Sequence, residues 1–216
     1  NFRLSATGKL RAGTLQVGSF GYFMADGNIY DSKFTGAKFD FGGPVKFTAA
    51  YGDTDYSTGT FVGTARQEYL DYNWEAGIYN YRLTDTAKTR NTIFNLGGNY
   101  KFSNFSIGTM MLLASQGDAR GKNFGYVHSL NYGEIKTWRP GTYAFFARYY
   151  YQPRYTYIAP SMNGRGGWMQ GFKGVGLGVY YTLAENLVAG LEYYNLRDIT
   201  TNAKNYTWWG SLTKFF

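Results

Sequence analysis

Hydrophobic and polar positions alternate along most of the chain with a period of two, the period of a β-strand. Between 203 and 216, Tyr206, Trp208, Leu212 and Phe216 share one face, while Asn205, Thr207, Ser211 and Thr213 share the other. Between 172 and 183, Val175, Leu177, Val179, Tyr181 and Leu183 oppose Gly174, Gly176, Gly178, Tyr180 and Thr182. Successive side chains of a strand point to opposite faces, so each segment has one apolar face and one polar or small face.

This periodicity predicts thirteen strands, at 2–9, 14–23, 33–41, 44–52, 66–73, 76–83, 92–102, 105–115, 124–135, 142–152, 172–183, 187–196 and 203–216. Their connections switch between tight and long. Leu10–Gly13, Gly42-Gly43, Trp74-Glu75, Ser103-Asn104, a turn with Arg139-Pro-Gly141, and Ala184–Asn186 are tight. Met24–Ser32, Asp53–Ala65, Thr84–Asn91, Gln116–Asn123, Pro153–Gly171 and Asp198–Asn202 are the long ones. Short turns at one end and long loops at the other mark the periplasmic and extracellular ends of outer-membrane barrels. The expected fold is all-β: a transmembrane antiparallel up-and-down β-barrel, one domain over 1–216, in the bacterial outer membrane.

The odd count carries its own expectation. With Phe216 at the periplasmic end, Asn1 falls at the extracellular end, whereas single-chain bacterial barrels have an even number of strands. The domain is therefore expected to be N-terminally incomplete by an odd number of strands. A twelve-stranded closed barrel follows instead if the short stretch 66–83 is miscounted.

Composition narrows the class further. No stretch of about 18 uncharged apolar residues occurs, which excludes a membrane-spanning helix. The 22 Tyr and 5 Trp suit aromatic girdles at the lipid–water boundaries. Without Cys there is no disulfide framework and no thiolate metal site. A single His supplies one ligand only, so neither a metal nor another cofactor is expected. The net charge of +8 comes from Lys and Arg scattered singly, which argues against nucleic acid and for a basic, water-filled interior.

Several segments resemble the C-terminal barrel of the OmpM-type outer-membrane porins, which carry an N-terminal SLH (surface-layer homology) domain. They are Gly13-Thr-Leu-Gln-Val-Gly18, Gln152-Pro-Arg-Tyr155, Gly171-Phe-Lys-Gly174, Val175-Gly-Leu-Gly-Val-Tyr-Tyr-Thr-Leu-Ala184 and Asn186-Leu-Val-Ala-Gly-Leu-Glu-Tyr-Tyr-Asn-Leu196. Ser19 stands where related porins often carry Arg. The resemblance implies a homotrimeric diffusion channel with 16 strands in the complete barrel. The SLH domain, absent from this chain, would bind peptidoglycan or another cell-wall polymer. It also implies that Met24–Ser32 is the third extracellular loop, folded inward as the constriction, with Asp26 and Asp31 facing a basic wall.

Strand alternation sends Arg3, Lys38, Asp40, Lys46, Asp71, Arg82, Lys101, Arg148 and Glu192 toward the lumen. Arg148 lies well inside its strand, where a Lys or Arg facing lipid would cost about 2–4 kcal/mol. Six of the nine are basic, so the expected function is passive diffusion of ions and small hydrophilic solutes with a mild preference for anions. An enzyme is not expected, because His128 shares a face with Tyr126, Leu130 and Tyr132 and points away from lumenal carboxylates. Two alternatives remain. One is an adhesion or envelope-tethering barrel that binds through Arg154, Tyr155, Tyr157, Arg165 and Trp168. The other is a substrate-specific channel, for which Arg3, Arg82 and Arg148 are too scattered to form a ladder.

Overall fold

Thirteen antiparallel strands form one sheet in strict sequence order. They are β1 (Ser5–Leu10), β2 (Gly13–Met24), β3 (Tyr30–Gly42), β4 (Val45–Thr54), β5 (Ser57–Glu68), β6 (Tyr72–Leu83), β7 (Arg90–Phe102), β8 (Phe105–Ala114), β9 (Phe124–Gly133), β10 (Tyr143–Pro153), β11 (Gly171–Ala184), β12 (Leu187–Asp198) and β13 (Lys204–Lys214). The computed structural model describes residues 3–84, 88–160, 164 and 166–215. Phe216 and Arg165 therefore lie outside the described residues. The edge strands are β1 and β13, which are not paired with each other among the described residues.

Register decides which side chains meet lipid. Leu130, Ala147, Leu177, Tyr193 and Trp208 form one continuous row across β9 to β13 on the outer face. One residue along each strand, Ser129, Arg148, Gly176, Tyr194 and Thr207 form the matching inner row. Leu177 is 46% exposed and Trp208 is 66% exposed, and Phe145, Tyr149, Val175 and Leu191 are exposed beside them. A sheet face this apolar and this accessible fits hydrocarbon as its solvent. No helix among the described residues is long and apolar enough to cross a membrane, so the strands make the crossing.

The interior is not uniformly polar. Toward the long-loop end, Phe20, Phe34, Tyr79, Tyr81, Ile93, Leu112, Tyr150, Phe172 and Leu196 pack with residues of two infolded loops into a buried core. This core fills part of the barrel mouth and fixes those loops against the wall.

Two connections differ from the sequence-based expectation. The residues at 53–65 form no long loop. Instead β4 passes to β5 through Asp55-Tyr56, and the second turn is Tyr69–Asp71, so Trp74 and Glu75 belong to β6. The polar cluster looks like a loop because its hydroxyls satisfy one another: Thr54 Oγ1 lies 2.7 Å from Ser57 Oγ, which lies 2.8 Å from Thr60 Oγ1, all buried. A bulge between Thr58 and Phe61, with Gly59 at φ 56°, absorbs the irregular spacing. The thirteen-strand count stands, and the twelve-strand reading does not. The second difference is at the tight-turn end, where Glu134–Thr142 is a longer connection. Thr142 Oγ1 pins it by donating to the Arg139 carbonyl at 3.0 Å and accepting from the Lys136 N–H at 3.0 Å.

Candidate functional site

The β2–β3 connection, Ala25–Ile29, turns back on itself inside the barrel. Ala25, Asp26 and Gly27 all have positive φ, which reverses the chain within three residues. Asn28 N–H donates to the Ala25 carbonyl at 2.9 Å and Ile29 N–H to the Met24 carbonyl at 3.3 Å. The far side holds the tip too. The N–H groups of Ile158 and Ala159 donate to the Ile29 carbonyl, and Gln152 Nε2 donates to the Asn28 carbonyl at 3.1 Å. The tip thus crosses the interior toward β10 and the loop that follows it.

Charge concentrates where the tip meets the wall. Arg66 Nη1 on β5 lies 3.4 Å from Asp26 Oδ1, and Arg66 Nε lies 2.9 Å from Glu68 Oε1. Glu75 Oε2 on β6 is 3.7 Å from Arg66 Nη1, and its other oxygen accepts from Asn95 Nδ2 at 3.0 Å. Two cavities flank the contact. One of about 470 Å³ is bounded by Tyr22, Asp40, Lys46, Thr48 and Thr64, and one of about 400 Å³ by Asn28, Asn99, Ser129, Asn131 and Arg148. Phe23, Arg66 and Glu75 border both. The tip stands between the two cavities, each lined by a mixture of polar and apolar side chains.

The structure sorts the sequence-based candidates. Lys38 and Asp40 face inward and pair at 2.9 Å, with Thr48 Oγ1 donating to Asp40 at 2.7 Å. Lys46 faces inward opposite Arg66, and Lys101 faces inward beside the β7–β8 turn, opposite Ser106. Arg148 lies 4.8 Å from the Phe146 ring centre, and Glu192 accepts from the hydroxyls of Tyr180 and Tyr194. These rings need a flat floor: a Cβ on Gly178 would sit 2.1 Å from Phe146.

Four candidates are corrected. Asp71 is not on a strand wall; it lies in the β5–β6 turn, where its carbonyl accepts from the Lys101 N–H. Arg82 is the register partner of Arg90 on the outer face, because the true β6 carries Asn73, Glu75, Tyr79 and Tyr81 inward. Arg3 precedes β1, and its guanidinium lies against Gly21 on the face shared with Lys33, the outer side. Asp31 belongs to β3 opposite Phe23, so Asp26 alone of the two sits in the turn that reaches Arg66.

Sequence reasoning missed Arg66, Glu68 and Glu75. The signal was present, since Thr60, Val62, Thr64, Arg66 and Glu68 continue one alternating face. The predicted strand 66–73 instead carries Asp71 inward, which turns Arg66 and Glu68 to the lipid side. Taking Arg3, Arg82 and Asp71 off the inner wall and adding Arg66, Glu68, Glu75 and Asp26 leaves five basic and five acidic residues in this set.

The β10–β11 loop also folds in. It starts with a 3-10 turn, Arg154–Thr156, and Tyr157 is fully buried beyond it. The Tyr157 hydroxyl donates to the Met169 carbonyl at 2.9 Å and accepts from the Gly171 N–H at 3.1 Å. Asn91 Nδ2 on β7 donates to the Tyr155 carbonyl at 2.7 Å, tying the loop to the opposite wall. Burial pushes the Tyr157 phenol up to about 12, against an opposing effect of the Arg154 charge. Tyr155 and Tyr157 are thus inside the mouth, and Trp168, 81% exposed, is the aromatic that projects.

His128 faces outward as expected, with Nδ1 3.0 Å from Thr109 Oγ1 and its ring 5.1 Å from that of Tyr126.

No family model matches the chain, and no curated protein matches it. Among solved structures it is similar to OmpTΔL8, a loop L8 deletion mutant of OmpT, an outer membrane protein of Vibrio cholerae. The superposition has a TM-score of 0.64 at 16% identity and covers 99% of this chain and 79% of that one. At this identity the likeness shows the fold. It also overturns the exclusion of an enzyme drawn from the sequence: an outer-membrane barrel is a fold compatible with catalysis, and the outward turn of one His does not decide the matter. The fold, the lipid-facing girth and this likeness make the chain a β-barrel protein of the bacterial outer membrane.

Proposed function

We propose that the protein is a porin: a water-filled channel for passive diffusion of ions and small hydrophilic solutes. The observation that carries this reading is the inward loop whose Asp26 meets Arg66 between two cavities that both contain charged side chains. A loop that only capped the barrel would have no reason to place a charged pair across the lumen. Opposed charges at a narrow point set up a transverse field, which orders water and passes small polar solutes more easily than apolar ones of equal size. With inward charges nearly balanced, the anion preference is weak.

Among the described residues β1 and β13 are not paired with each other, and unpaired backbone N–H and C=O groups cannot face hydrocarbon, so the reading includes a closed wall in the membrane. Sixteen strands fit this requirement, as the resemblance to OmpM-type porins implies. The same resemblance extends the reading to a homotrimer tethered to peptidoglycan through an SLH domain.

Liposome swelling tests the proposal. Vesicles containing the purified protein should swell in isotonic arabinose and progressively less in larger sugars. Swelling no faster than in protein-free vesicles would refute it.

A further inference from the structure

Among the described residues, outward-facing Lys and Arg occur only toward strand ends, and at the long-loop end three of them are aligned. Lys173 on β11 is the register partner of Arg197 on β12, which is the register partner of Lys204 on β13. All three are in phase with the lipid-facing Val175, Leu177, Tyr206 and Trp208. Tyr151 of β10 extends the row on its other side. Like charges directly opposite one another destabilise a sheet, so an anion bound across the row would stabilise it. Among the described residues none of the three forms an ion pair, and Arg197 Nη1 donates only to the amide oxygen of Asn202, at 3.2 Å.

The position of the row says where the anion comes from. It lies at the end carrying the longer loops, hence at the level of the outer leaflet, directly above the apolar belt. The three side chains lie on the lipid-facing side of the wall, away from the lumen. We propose that Lys173, Arg197 and Lys204 bind phosphate groups on the headgroup of an outer-leaflet glycolipid. Arg197 presents a planar fork suited to two phosphate oxygens, and the flanking Lys side chains add point charges. Neighbouring strands are about 4.8 Å apart, so one phosphate bridges two adjacent side chains. The acyl chains then run down over Val175, Leu177 and Trp208. This inference uses the outer-membrane placement of the barrel and is independent of the channel reading.

The test is binding by the detergent-purified protein, followed by native mass spectrometry. Three probes are compared: diphosphorylated lipid A, its dephosphorylated form, and inorganic phosphate. The diphosphorylated lipid should bind at least about tenfold more tightly than the dephosphorylated one, given the attraction of each surface Lys or Arg to anionic lipid. The triple variant Lys173→Gln, Arg197→Gln, Lys204→Gln should lose that difference. The charge-preserving variant Lys173→Arg, Arg197→Lys, Lys204→Arg should keep it, with an unaltered heat-modifiable gel shift confirming the fold of both. Equal binding of the two lipids, or undiminished preference in the Gln variant, would overturn the proposal. Competition by inorganic phosphate at lipid-equivalent concentration would also overturn it, because it would mark a general anion site.

Discussion

Asp26 Oδ1 at the tip of the inward loop lies 3.4 Å from Arg66 Nη1 on the wall of β5. The contact is held from both ends. Three residues with positive φ shape the tip, and Glu68 and Glu75 fix the guanidinium. Because both groups are partly exposed, their attraction contributes little stability, about 0–1 kcal/mol. Its consequence is for the field in the lumen.

Changing Asp26 to Asn should leave Arg66 with less compensation and move the zero-current potential in a salt gradient toward anions. Arg66→Glu should move it toward cations. Opposite shifts from the two variants would place both groups in the limiting cross-section. Unchanged potentials in both would place the narrowest point elsewhere.

Leu177 and Ser129 test the two faces of the wall. Leu177→Arg puts a charge against hydrocarbon and should destabilise the barrel by about 2–4 kcal/mol, read as a lowered midpoint in urea refolding into vesicles. Ser129→Arg on the inner row should cost much less. Equal costs would mean that the faces are misassigned.

Gly178 supports Phe146 at a distance no side chain tolerates. Gly178→Ala should force the ring off its place and cost about 1–3 kcal/mol in the same refolding assay. Gly210, whose Cβ would meet nothing within 4 Å, is the control, and Gly210→Ala should have little effect.

The β10–β11 loop should detach in alkali. The Tyr157 phenol is raised by burial from 10.0 to about 12, so its neutral form is favoured in the folded loop. That stabilisation is complete below pH 10 and is lost as pH climbs toward 12. Fluorescence of a probe on Trp168→Cys should change over this interval. In Tyr157→Phe the Met169 carbonyl and Gly171 N–H lose their partner, weakening docking by about 1–3 kcal/mol, and the alkaline transition should vanish.

Much of the wall was legible in the sequence because period-two alternation maps directly onto two faces. Lys38, Asp40, Lys46, Lys101, Arg148 and Glu192 fall inward as the alternation requires. The site itself was harder to read. Thr54, Ser57 and Thr60 satisfy one another in pairs that no linear pattern displays, so the alternation places the strand at 66–73, with Asp71 inward and Arg66 outward. Moving the next turn then exchanged the faces of β6, turning Arg82 outward and Glu75 inward, since a one-residue slip reverses every side chain. Tyr155 and Tyr157 look like projecting anchors in the sequence. Their burial depends on Asn91, Met169 and Gly171, brought close only by the folding of the loop against neighbouring strands.

Single-channel recording in planar bilayers tests the channel most directly. The protein purified from the outer membrane should produce discrete conductance steps that scale linearly with voltage and with bulk salt. A bilayer that stays at its baseline while protein insertion is verified independently would contradict the account.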